Sequence, residues 1–335
     1  MISVKLPLKV TLPLLLVLVA ISILIATGFG TANLNATDTI QCLLSECDNK
    51  LTQTIIFDIR LPRVLLGFIA GFALASAGAL MQNVTRNPLA DPYLFGIIAG
   101  AGLGATVATM ASDYLPAALQ SLTLPVFAFI GAMLAIVLVM GVLVNQRWRK
   151  VEFLLLAGIA ISFLLSAITH LLLYFGDAFA ANRIIFWLMG SLARADYQAL
   201  AWTAPVVLVC CFIALVFSRQ LDALLISDES ARTLGVNVER LRLIALILSA
   251  AMVAVIVSYC GGIAFVGLMI PHIVRPFFGL TTARLLISSG LVGGCFLIWV
   301  DVLARSSLEG QEIPLGVITS VMGSLFFLMI MRRAR

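Results

Sequence analysis

The sequence predicts an all-α polytopic membrane protein of about ten transmembrane helices, built as one transmembrane domain over residues 1–335. Three observations carry this reading. The chain is 62% hydrophobic and only 11% charged, with a mean hydropathy of +1.13; a soluble domain carries about 25% charged residues. Its apolar residues fall in runs of the length, roughly 20 residues, that lets a helix cross a bilayer. Its Lys and Arg residues segregate to alternate loops, 15 of the 21 on one side, as the positive-inside rule requires.

The runs, in order, are 10–30, 63–84, 93–112, 122–145, 151–175, 200–218, 243–260, 263–280, 285–303 and 313–331. Gly261-Gly262 divides the seventh from the eighth. A further patch, Ile184–Leu192, is too short to span and reads as a half-helix or an interfacial segment. The first run lacks a small-residue cleavage site and reads as a retained span rather than a signal peptide. An even number of spans puts both termini on the side that holds Lys5, Lys9, Arg86, Arg147, Arg149, Lys150, Arg219, Arg232, Arg240 and Arg242, which is then the cytoplasm. Lys50, Arg60, Arg63, Arg183, Arg194 and Arg305 fall on the other side.

Several classes of function are disfavoured. The net charge of +5 is spread over short loops and makes no nucleic-acid surface. None of Lys5, Lys9, Lys50 and Lys150 follows the glycines of a P-loop, so any ATP and Mg belong to another chain. Paired carboxylates, HExxH and Cys/His clusters are missing from the sequence, so neither an enzyme nor a resident metal or cofactor is expected. Cys210, Cys211, Cys260 and Cys295 lie in apolar runs and read as inert thiols. Cys42 and Cys47 share the long loop 31–62; a disulfide and two free thiols both remain open there.

The polar island Ser227–Arg242, SDESARTLGVNVERLR, interrupts two apolar runs. Ser227 is a good N-cap. Asp228 and Glu229 then occupy a first turn, where negative charge suits the helix dipole. Gly235 can end that helix in a left-handed cap, and Asn237 can start a second helix through Glu239 and Arg240. A short helix, a sharp turn and another helix are expected at the membrane surface.

The second span opens on Arg60-Leu61-Pro62-Arg63 and places Gly67, Gly71, Ala75, Gly78 and Ala79 at about helical spacing, a pattern for close helix packing in lipid. It ends in Asn83–Pro92, a proline-bearing turn in which Asn87 and Asp91 read as turn formers. RLPR, the glycine-rich span, MQNVTRNPLADPYLFGIIAGAGLGA, the island motif ARTLGVNVERLR, GGIAFVGLMIPHIVR at 261–275 and EIPLGVITSVMGSLFFL at 312–328 together resemble the FecCD/BtuC-like permeases. These are the membrane subunits of type II ABC importers for iron–siderophore complexes, haem and cobalamin in the bacterial inner membrane.

The resemblance implies a BtuC-like fold paired as a homodimer, two ATP-binding subunits beneath and a periplasmic substrate-binding protein above. It assigns ATPase coupling to Ser227, Asp228, Glu229, Ala231, Arg232, Leu234, Gly235, Val236, Glu239 and Arg240. It assigns binding-protein docking to Arg60, Arg63 and Arg305, for which snorkelling or an intrachain pair, such as Arg305 with Glu309 or Asp301, is the other reading, and iron–siderophore import is the commonest task of such proteins. The fifth span resembles the helix that lines the pathway. There Ser162, Ser166 and Thr169 follow i, i+4, i+7 on one face, beside His170. Helix back-bonding of the hydroxyls is the other reading, and His170 is either a packed residue or a transient ligand of iron or haem. Asp301 sits deep in an apolar run; a pair with Arg305 one turn on is preferred, and an ion-coupled secondary carrier would use it as its acid.

Overall fold

The computed structural model describes residues 8–30, 39, 41–42, 47, 49–111, 116–143, 151–308 and 310–333. Lys5, Arg147, Arg149, Lys150 and Glu309 lie outside the described residues. Thirteen α-helices of 6 residues or more and no strand occur among the described residues. They are α1 (Leu8–Gly28), α2 (Leu61–Thr85), α3 (Ile97–Ala111), α4 (Ala117–Leu143), α5 (Val151–Phe175), α6 (Ala178–Leu188), α7 (Tyr197–Val216), α8 (Ser218–Ile226), α9 (Asp228–Thr233), α10 (Val238–Cys260), α11 (Val266–Phe278), α12 (Thr282–Ser306) and α13 (Leu315–Arg333). Lys50–Gln53 and a π-helical turn, Thr54–Arg60, run without a break into α2.

Eight of these helical stretches are long and apolar enough to cross a membrane. Two expected spans are shorter. α3 has 15 residues and α11 has 13, about 20 Å each at 1.5 Å per residue, against the roughly 30 Å of a hydrocarbon core. The cause is local. Pro92–Phe95 forms a 3-10 turn closed by Gly96 at φ +79°, which consumes the start of the third run. Gly261 (φ +70°) and Phe265 (φ +68°) break the chain ahead of α11. The patch at 184–192 is the second half of α6 and the turn after it, a half-helix started by Asp177, whose carboxylate accepts from Ala180 N at 3.0 Å. The amphipathic α8 was not anticipated; Asp222 on it accepts from Thr282 N at 2.6 Å and so caps α12.

α2 is the central element. Of its 25 residues, 20 are buried, against α12, α11, α10 and α7. Its glycines do what their spacing suggested. Gly71 faces the backbone of Gly293 on α12, and Gly78 faces that of Gly267 on α11, so a β-carbon at either position would enter a neighbouring carbonyl. The backbones approach closely enough for dispersion to replace the hydrophobic effect that lipid does not supply. α1, α5 and α13 instead expose large apolar side chains, among them Leu14, Phe163 and Leu325, as helices at a lipid or subunit boundary do.

Cys42 and Cys47 are joined in a disulfide. Cys210, Cys211, Cys260 and Cys295 are free and buried.

Candidate functional site

The polar island folds as its residues dictate. Ser227 Oγ accepts from Ser230 N at 2.9 Å and starts α9. Gly235 takes φ +78°, a value that costs an L-residue about 1–2 kcal/mol. Gly235 N donates to Arg232 O at 2.9 Å and Val236 N to Ala231 O at 3.0 Å, the paired bonds of a Schellman cap. Asn237 Oδ1 accepts from Arg240 N at 3.0 Å and starts α10. Ala231 and Val238 are buried, and they seat the pair on the bundle. Glu229, Arg232, Leu234, Gly235, Glu239 and Arg240 are exposed, with Leu234 at 70%. Arg232 and Glu239 face one another at 3.8 Å in solvent, where such a pair contributes little.

Asp228 does more than start a helix. Its Oδ1 accepts from Arg86 Nη2 at 2.7 Å and from Arg242 Nη2 at 2.9 Å. Arg86 is the left-handed residue, φ 52°, that ends α2. The island is thereby tied to the central helix. Neighbouring polar groups complete that end: Arg275 Nη2 donates to Gln82 Oε1 at 3.1 Å, and Asn83 Nδ2 to Thr282 Oγ1 at 3.1 Å. The sequence marked Asn83–Pro92 as a turn; the turn is there, with Asn87 Oδ1 accepting from Leu89 N and Asp91 Oδ1 from Tyr93 N, each at 2.9 Å.

Arg60, Arg63 and Arg305 lie at the other end of α2, about 35 Å away by helix rise. They are not displayed on the surface. Their exposures are 3%, 8% and 3%, and each spends its donors within the chain. Arg60 Nη1 reaches Thr27 O at 3.2 Å and Gly28 O at 2.8 Å, and Arg305 Nη2 reaches Ala26 O at 3.0 Å. Arg60 thus satisfies carbonyls that the C-terminus of α1 leaves without helical partners. Arg305 adds a second donor to Ala26 O, which also accepts from Phe29 N at 3.2 Å, and both guanidiniums lie at the negative end of the helix dipole. Arg63 clamps Asp301 (Nη2–Oδ1 2.8 Å, Nε–Oδ1 3.0 Å) and Glu312 (Nη1–Oε1 2.7 Å, Nη2–Oε2 2.9 Å). Asp301 also faces Arg305 Nε at 3.4 Å. The expected Asp301–Arg305 pair is present, but Arg63 holds the same carboxylate more closely. The three arginines belong to an internal network joining α1, α2, α12 and the segment before α13.

Ser162, Ser166, Thr169 and His170 do come together. They line one cleft of about 310 Å³ with Tyr93, Gly102 and Leu188. Ser162 Oγ donates to Gly158 O at 2.7 Å and Thr169 Oγ1 to Leu165 O at 2.8 Å. The hydroxyl protons are thus used within the helix, leaving a weakly polar wall of oxygen lone pairs. His272 packs edge-on against Phe326 and Phe327.

Sequence reasoning missed Arg86, Asp222 and Glu312. Arg86 was counted only as a loop charge, and nothing in local spacing pairs it with a residue 142 positions away. Glu312 opens the 312–328 motif two residues before Pro314, and its place in that motif was the available signal.

A family model described as the FecCD transport family matches residues 16–333. The hemin transport system permease protein HmuU of Yersinia pestis is 38% identical over 93% of both chains. The Fe(3+)-citrate import system permease protein YfmD of Bacillus subtilis is 36% identical over 91% of this chain and 89% of its own. The cobalamin import system permease protein BtuC of Halobacterium salinarum is 37% identical over 84% and 74%. A solved metal-chelate type ABC transporter in an inward-facing conformation superposes with a TM-score of 0.81 at 30% identity, covering 95% of this chain and 97% of that one. The chain belongs to the FecCD transport family.

Proposed function

We propose that this chain is the permease subunit of an ATP-driven importer that moves an iron–siderophore complex across a bacterial inner membrane. The observation that carries this is the likeness, over 95% of the chain, to a metal-chelate type ABC transporter. In this reading two separate ATPase subunits grip the α9–α10 pair on the cytoplasmic side, and both termini lie there. A substrate-binding protein docks at the opposite end, on the surface that the Arg60, Arg63 and Arg305 network holds in shape. Two copies of the chain pair, and the cleft at Ser162, Ser166, Thr169 and His170 belongs to the route. A weakly polar wall suits this task, because tight binding would trap the cargo.

Mechanically, the pair can transmit force. Its Schellman cap and two N-caps make it stiff, and Asp228 links it to Arg86 at the base of α2. Packed elements shift as units rather than deform, so a push on Leu234 or Arg240 is passed to α2 and α10 together. Haem import by the same architecture is the second reading, favoured by the 38% identity to a hemin permease.

The test is co-isolation. The chain, expressed with its neighbouring ATPase, should copurify with it, and a photoreactive group at Leu234 should crosslink to it. A chain that purifies without any ATPase and crosslinks to none would sink the proposal.

A further inference from the structure

A second cleft, of about 570 Å³, opens at the far end of α10 from the helix pair. Arg183 of α6 and Arg194 of the loop before α7 line it, beside Trp187, Gln198 and Tyr259. Both arginines are exposed, and among the described residues neither forms an ion pair. The acid in the lining, Asp196, is turned to the α7 N-terminus, where it accepts from Ala199 N at 2.7 Å. These guanidiniums thus differ from those of Arg60, Arg63 and Arg305, whose donors point into the chain.

The loop that carries Arg194 is held in place. Gly190, at φ +77°, lets it turn against two helix ends. Ser191 N donates to Cys260 O at 2.8 Å, Leu315 N to Gly190 O at 2.9 Å and Gly316 N to Met189 O at 2.9 Å. A concavity of this volume lies within the usual range for small-molecule sites. A planar guanidinium recognises carboxylates through paired, charge-assisted hydrogen bonds, and Trp187 and Tyr259 offer apolar faces to the rest of a ligand.

We propose that this cleft receives the transported metal chelate through its carboxylates, so that the cargo is an anionic, carboxylate-bearing chelate. The inference rests on the permease reading above and narrows its substrate class. The two clefts share one seam. On α6, Trp187 lines this cleft and Leu188 the other; on α3, Ala108 lines this one and Gly102 the other, about 9 Å apart along the helix. A chelate released by the arginines would pass next to the weakly polar wall of α5.

The test uses the full chain in nanodiscs of phosphatidylcholine alone, with radiolabelled ferric citrate as the probe and haem as competitor. Ferric citrate should bind, haem should displace it, and a neutral ferric trihydroxamate should not. Arg183→Gln combined with Arg194→Gln should weaken binding about tenfold or more, as loss of charge-assisted hydrogen bonds predicts. The corresponding double Lys variant should recover part of the loss, because it keeps the charge and gives up the paired geometry. Equal binding by the Gln variant, no binding by the unaltered chain, or equal competition by the neutral chelate would overturn the proposal. A Gln defect seen only in discs containing phosphatidylglycerol would also overturn it, by marking a lipid-headgroup site. The Gln variant leaves residues 227–242 intact, so its copurification with the ATPase should be unchanged; failure of the unaltered chain to copurify would count against the permease reading instead.

Discussion

Arg63 and Asp301, 238 positions apart in sequence, form a side-on ion pair in which Nη2 and Nε lie 2.8 and 3.0 Å from Oδ1. The carboxylate side chain is 2% exposed and the guanidinium 10%. Such a pair gives little net stability when formed but is costly to break, because the surviving charge stays buried. Asp301→Ala should therefore cost about 3–5 kcal/mol, read as a lower thermal midpoint in detergent or loss of monodisperse protein. Glu312→Ala, with a side chain 34% exposed, should cost distinctly less. Equal effects would mean that burial is not what makes the network sensitive.

Asp228 holds Arg86 and Arg242 in a partly exposed setting, with side-chain exposures of 31%, 38% and 13%. Asp228→Asn should change global stability by only about 1 kcal/mol or less. Its effect should appear in coupling: more ATP hydrolysed per chelate imported, by several-fold. An unchanged ratio would remove the tie between Asp228 and Arg86 from the mechanism.

A β-carbon at Gly235 would meet nothing within 4 Å, so the cost of a substitution there is conformational alone. Gly235→Val should retain folded protein, destabilised by about 1–2 kcal/mol, while uptake falls more than ATPase activity. Gly71→Val is the contrast. Its side chain would run into the Gly293 carbonyl, and little folded protein should be recovered. Thermal melts and size-exclusion profiles of the two variants separate these causes.

Two carboxylates outside the spans should give opposite pH responses. The Glu312 carboxyl is held below its ordinary range by its hydrogen bonds to Arg63, against the opposing effect of burial. Its stabilising contribution is present above its unfolded pKa and is lost as pH falls, so Glu312→Gln should flatten the acid limb of stability. Asp91 is pushed from 3.8 up to about 6 by burial. A raised carboxyl contributes fully below its unfolded pKa and loses that contribution as pH rises through 6. Asp91→Asn, which can still accept from Tyr93 N, should stabilise the protein at pH 7.5 by up to about 3 kcal/mol and have no effect at pH 3. Thermal midpoints across pH 3–8 check both.

How legible the molecule was depended on the range of the forces. Ser227, Gly235 and Asn237 act on backbone within three or four residues, so their caps could be read directly. The apolar runs are equally local, and eight of them became long helices. Boundaries failed where punctuation was strong: Pro92, Gly96 and Phe265 shortened α3 and α11. The inward turn of the arginines was illegible for a different reason. Charge segregation puts Arg60, Arg63 and Arg305 near one surface, but whether a guanidinium there faces outward or inward depends on partners such as Ala26 O, Asp301 and Glu312. Those partners are tertiary neighbours, and no spacing rule reaches them. For the same reason, reversing the charge of Arg63 cannot serve as a clean test of docking, since it would disrupt the network first.

The central claim is that a separate ATPase drives passage through this chain, and uptake in proteoliposomes tests it most directly. With the ATPase subunits and the binding protein present, accumulation of the iron chelate should require ATP, stop with vanadate and persist with an ionophore. Accumulation that continues without the ATPase, or collapses with the ionophore alone, would contradict the account.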